Sequence, residues 1–134
     1  MQASVLRRAP EASLGDGAVG VIDVGSNSVR LVLYERASRA PTILFNEKVL
    51  AGLGDSLTED GRLDAAAMAR ALPAIRRFRL IAESASASKL TILATAAARV
   101  AANGAAFIAA IEREVGVPVR VLSGPEEAEM AGQG

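Results

Sequence analysis

Between Val19 and Leu50 lie three short apolar runs, Val19–Val24, Val29–Tyr34 and one within Pro41–Leu50, joined by loops too short to carry a crossover. Parallel strands need a connection of about a dozen residues, so these runs read as an antiparallel meander. In the third run Ile43, Phe45 and Val49 alternate with polar residues over part of its length. A Gly-rich turn, Gly52 to Gly61, closes the meander.

After this turn the period changes. Met68, Leu72, Ile75, Phe78 and Ile81 recur at three- and four-residue spacings, which predicts a helix capped by Asp64. Arg70, Arg76, Arg77 and Glu83 fall on its other faces, and Pro73, which lacks an N–H for Ala69, predicts a kink. A fourth strand is expected over Lys89–Thr95, a short helix over Ala96–Ala102, a further helix over Gly104–Val115 and a fifth strand over Val117–Leu122. Ser123-Gly124-Pro125 then opens one more helix. Three strands followed by helix–strand units predict an α/β domain, a mixed five-stranded sheet with flanking helices.

Composition narrows the chemistry. Hydrophobic residues make up 51% of the 134 residues but aromatics only 3%, so the core must be aliphatic. Without Cys or His, disulfides, thiol and imidazole catalysis and the usual zinc sites are excluded. A metal would have to be a hard cation held by oxygen, such as magnesium. Fifteen basic and fifteen acidic residues balance, which gives no general case for nucleic acid or an anionic membrane as partner. No apolar run approaches the roughly 18 residues of a membrane span. Residues 1–17 have Arg7 and Arg8 but no apolar stretch after them, and carry Glu11 and Asp16. They read as a flexible tail rather than a signal peptide, and the expected location is cytoplasmic.

Three stretches combine chemistry with a place at a strand end. In Asp23-Val24-Gly25-Ser26-Asn27-Ser28, a tight turn can offer backbone N–H groups, hydroxyls and an amide to phosphate oxygens, with Asp23 beside them for a magnesium ion. The plainer reading is a hairpin turn. Arg99, four residues beyond Thr95, can fork onto phosphate or simply lie in solvent. In Ser123-Gly124-Pro125-Glu126-Glu127-Ala128 one Glu can complete a capping box, Glu126 if Ser123 is the cap or Glu127 if Gly124 is. The other Glu is then left to orient or deprotonate a water. Ligands of open α/β sheets gather at strand ends, where all three stretches fall.

The first stretch resembles the Asp-hydrophobic-Gly-Ser-Asn-Ser phosphate loop of the exopolyphosphatase and guanosine-pentaphosphate phosphohydrolase (Ppx/GppA) family. The other pieces resemble that family in order: Leu53-Gly54 through Gly61-Arg62-Leu63, Ala94-Thr95-Ala96-Ala97-Ala98-Arg99, Asn103-Gly104 with Phe107, and Ser123 to Ala128. Together they cover about residues 18 to 133.

The resemblance implies a ribonuclease-H-like lobe of the actin, sugar-kinase and Hsp70 clamp over 18–134. A second lobe and a second, Gly-rich phosphate loop would lie elsewhere, so this piece alone is expected to be inactive. It implies that Gly25, Ser26, Asn27, Ser28 and Arg99 bind phosphate, that Asp23 organises Mg2+, and that Glu127 is the general base. The implied reaction is release of orthophosphate from polyphosphate or from guanosine pentaphosphate. Glu129 stands where the family commonly has Arg. Three other readings remain: a kinase or ATPase of the same superfamily, a non-catalytic phosphate or alarmone sensor, and a lobe that only pairs with its copy as a homodimer.

Overall fold

The structure, a computed structural model, describes residues 18–25, 27–35, 42–52, 61–95, 98, 101–123, 125–126 and 129. Its elements run β1 (Ala18–Val24), β2 (Ser28–Glu35), β3 (Ile43–Leu50), α1 (Ala65–Ser84), β4 (Lys89–Ala94), α2 (Gly104–Val115) and β5 (Val119–Val121). The strands form one sheet in the order β3-β2-β1-β4-β5. β1, β2 and β3 pair antiparallel as the short loops require, while β4 and β5 add parallel to the other side of β1.

Alternation along the strands sorts the sheet into two faces. Ile22 and Val24, Val29, Leu31 and Leu33, and Ile92 and Ala94 turn to one face and form a single core with α1 and α2. Val19, Val21, Asp23, Val32, Tyr34 and Leu93 lie half-buried on the other face. Against the core, α1 buries Ala67, Ala71, Ala74, Ile75, Phe78, Ile81 and Ala82, with Met68 and Leu72 half-buried beside them. Small alanines therefore carry much of the contact, which lets the helix lie close to the sheet. Phe78 and Ile75 are fully buried, each worth about 1.5–3 kcal/mol by removal from water.

Asp64 caps α1 as expected, its Oδ2 accepting from Ala67 N at 3.0 Å. The helix continues through Pro73, whose ring and whose unbonded partner Ala69 are both on the exposed side. Water can satisfy the Ala69 carbonyl there. α2 ends at Gly116, whose N–H donates to Glu112 O at 2.8 Å. Arg76 forks onto Glu114 at 3.0 and 2.8 Å and ties α1 to α2, and Arg77 pairs with Glu47 to tie α1 to β3.

Three expectations change. In the third run Ile43 was expected to alternate inward with Phe45 and Val49. The register slips between Leu33 and Tyr34, so Phe45 opposes Leu33 while Ile43 opposes Tyr34. The extra residue turns Ile43 to the far face, where it is 55% exposed. The fifth strand is shorter than expected, Val119–Val121. The predicted tail, the loop 53–60 and residues 96–97 and 99–100 of the predicted short helix lie outside the described residues; Ala98 is helical, but Ala101 and Ala102 lie in a bend and a turn, so that helix does not reach 102.

Candidate active site

The parallel register brings the three sequence stretches to one edge. Val24 of β1 stands beside Ala94 of β4, and Ala94 beside Val121 of β5. Beyond the strands the pattern continues: Thr95 N donates to Val24 O at 3.1 Å and Leu122 N to Ala94 O at 2.8 Å. The turn after Asp23, Thr95 and Ser123 are therefore neighbours at the carboxyl ends of β1, β4 and β5. Such an edge exposes backbone donors and is the usual place for a ligand in an α/β sheet.

In the first stretch, Gly25 N donates to Ser28 O at 2.8 Å and closes a hairpin. The plainer hairpin reading is thus met in the backbone. Gly25 does not occupy the left-handed region, so the turn does not need its freedom of φ. A Cβ there would lie 3.3 Å from Ser28 O, and the close backbone approach is what favours glycine. Exposed at the tip, Asn27 turns its carbonyl to Ala51 N and Gly52 N, at 2.9 and 3.0 Å. Ser28 is half-buried where β2 begins. Arg70, which the helical pattern placed only on an outer face, donates from Nη2 to Ala51 O at 2.8 Å and fixes the same corner.

Asp23 is half-buried at the end of β1, on the face away from the helices, with Arg30 opposite it on β2 and Leu93 on β4. Among the described residues no group of three or more acidic side chains gathers. A single carboxylate suits magnesium that keeps most of its waters and shares ligands with phosphate, rather than a protein-built cage.

The third stretch resolves one alternative. Ser123 Oγ accepts from Glu126 N at 3.2 Å, and Glu126 Oε1 accepts from Ser123 N at 2.9 Å. This is a reciprocal capping box with Ser123 as the cap. Arg120, unmarked in the sequence reading, also pairs with Glu126. The Ser123 N–H holds the Glu126 carboxyl below its usual range and the Arg120 charge adds to this, against the opposing effect of burial. Glu126 thus completes the cap that the sequence offered with Ser123. Ser26, Arg99 and Glu127 lie outside the described residues.

Asn103 had been matched only by its spacing before Gly104. Its side chain pairs with both backbone groups of Leu63, across 40 residues. An Asn directly before a helix with Gly next was the available signal, but the pattern alone suggests a cap and not a distant partner.

The Ppx/GppA phosphatase family model matches residues 16–134. A crystal structure of the Aquifex aeolicus member of that family superposes with a TM-score of 0.77 at 27% identity, over 83% of this chain and 36% of that one. An exopolyphosphatase from Cytophaga hutchinsonii superposes with a TM-score of 0.76 at 34% identity, over 84% of this chain and 36% of that one. The chain thus spans about 36% of the length of these relatives. The five-stranded sheet with its two helices is the ribonuclease-H-like, actin-related lobe of those structures. With the fold, the order of motifs and the family model in agreement, the chain belongs to the Ppx/GppA phosphatase family.

Proposed function

We propose that the whole protein hydrolyses terminal phosphoanhydride bonds, releasing orthophosphate from inorganic polyphosphate or from guanosine pentaphosphate, and that this chain forms the first lobe of its site. The observation that carries the reading is the convergence of the hairpin Gly25–Ser28, Thr95 and Ser123 at one sheet edge. The Cytophaga relative at 34% identity is an exopolyphosphatase, which supports the polyphosphate substrate.

In this reading the hairpin and Arg99 bind and orient the terminal phosphate. Gly25, Ser26, Asn27 and Ser28 supply uncharged donors, and Arg99 supplies a bidentate cation. Asp23 would hold magnesium, which when bound offsets charge on the phosphate oxygens. Glu127 accepts a proton from water as the water oxygen attacks the terminal phosphorus in line. The bond from that phosphorus to its bridging oxygen breaks, and the shortened chain or nucleotide leaves with the bonding pair. Glu126 is the weaker candidate for base because its carboxylate is capped and held below its usual pKa range. The 134-residue chain alone is expected to turn over little, since charge stabilisation needs both walls of such a site.

The test compares the full-length protein with its Glu127→Gln variant. Phosphate release from long-chain polyphosphate, and from guanosine pentaphosphate, is measured with magnesium. The expected result is a fall in kcat of about 10²–10⁴-fold with polyphosphate binding retained. Equal activity in both proteins removes Glu127 from the mechanism. Binding without turnover by the parent would make the protein a sensor.

A further inference from the structure

Asn103 precedes α2 directly but makes no side-chain bond to that helix, although an Asn at that place ordinarily accepts one. Its Oδ1 accepts from Leu63 N at 2.8 Å and its Nδ2 donates to Leu63 O at 3.1 Å, with Met68 Sδ 3.9 Å from the same nitrogen. Leu63 N–H can only donate and its carbonyl can only accept, so this amide orientation is the one that satisfies both. Ala102 N donates to Gly61 O at 2.9 Å and reinforces the clasp.

The residue after Asn103 is glycine, and packing requires it. A Cβ on Gly104 would fall 1.7 Å from the Ala98 oxygen. The fold thus imposes an Asn-Gly pair, the sequence most open to loss of a side-chain amide. Asn amides are thermolabile, and a following glycine has no side chain to keep its backbone nitrogen away from the amide carbon. Asn27 and Asn46, by contrast, precede Ser28 and Glu47.

The folded geometry opposes that reaction at each participating group. With ψ of 14° at Asn103, the Gly104 nitrogen nearly eclipses the nitrogen of Asn103 itself and is swung away from the branch that carries the amide. The Gly104 N–H is engaged, donating to Ala101 O at 3.0 Å. The half-buried amide is held through both its oxygen and its nitrogen by Leu63.

We propose that Asn103-Gly104 is a deamidation site kept unreactive by the Leu63 clasp, so that it reacts only when the clasp opens. In the open form the Gly104 nitrogen gives up its proton to water and bonds to Cγ of Asn103. The Cγ–Nδ2 bond breaks and that nitrogen leaves as ammonia. Water then opens the cyclic imide at either carbonyl carbon, leaving Asp or an isoaspartyl linkage. Water is consumed, ammonia is released, and nothing is oxidised or reduced. Neither product has a donor for Leu63 O, so the original clasp cannot re-form and the opening is recorded in the chain.

The experiment incubates the full-length protein at mildly alkaline pH, in buffer and unfolded in urea, and follows each Asn by peptide mass mapping. Hydrogen exchange of the Leu63 amide is measured in the same buffer. In urea Asn103 should react fastest of Asn27, Asn46 and Asn103. In buffer it should react at least about tenfold more slowly than in urea, because reaction waits for local opening. That slowing should match the protection of the Leu63 amide, since both report the same opening. In Asn103→Ala the Leu63 amide should lose protection while the strands keep theirs. Equal rates in buffer and urea would overturn the proposal, as would an Asn103 that is inert in urea. Slowing far beyond the Leu63 protection, or Leu63 protection unchanged in Asn103→Ala, would show that something other than the clasp is the guard and would overturn it too. The wild-type comparison stands alone if the variant does not fold.

Discussion

A methyl group at Gly104 would place a carbon 1.7 Å from the Ala98 carbonyl oxygen, far inside contact distance and against backbone that cannot rotate away. Gly104→Ala is expected to cost about 3 kcal/mol or more of stability by chemical denaturation; a loss under about 1 kcal/mol would show that the loop yields easily. Glu126 gives a pH signature. Its carboxyl is held below the unfolded value by Ser123 N–H and by Arg120, so the stability it contributes is complete above the unfolded carboxylate range. That contribution disappears as pH falls through the folded value. The wild-type advantage over Glu126→Gln in thermal unfolding should therefore be present at neutral pH and close on acidification; an advantage that grows in acid would contradict the capping role. At this scale the sequence was partly legible. The choice between Ser123 and Gly124 as cap needed coordinates because both register with a Glu three residues on. The role of Asn103 was hidden because its partner lies in a loop 40 residues away.

Among the elements, α1 was the most legible, since its period, its Asp64 cap and its length all act locally. The alanines that carry its contact face were less so, because a helical pattern weights large apolar residues and not the small ones that permit close approach. Phe78 projects from that face into the centre of the core with no exposure. Phe78→Ala should destabilise the fold by about 3–5 kcal/mol in urea unfolding, with the m-value unchanged. A loss below about 1 kcal/mol would mean the alanine-lined helix collapses into the space. The outward turn of Ile43 escaped alternation because a one-residue bulge reverses every side chain beyond it. Such slips depend on the pairing partner and leave no local mark.

Across the whole molecule, the meander and the later strands could be read from loop lengths, and the place of the three stretches at strand ends from the order of elements. What the sequence could not supply was adjacency: that β4 lies beside β1 and not beside β3 is a pairing between distant parts of the chain. The pairing of β4 with β1 has a consequence in time. The Ser88–Ala18 bond where this pairing starts closes 70 residues of chain. Non-local closure of that kind is slow compared with hairpin formation. The meander can therefore form early with its turn complete and still lack Thr95 and Ser123 beside it. During refolding, the edge that joins the hairpin to Thr95 and Ser123 should be completed only in the late phase that brings the parallel strands home, and an early intermediate would be a structured hairpin unit without that edge.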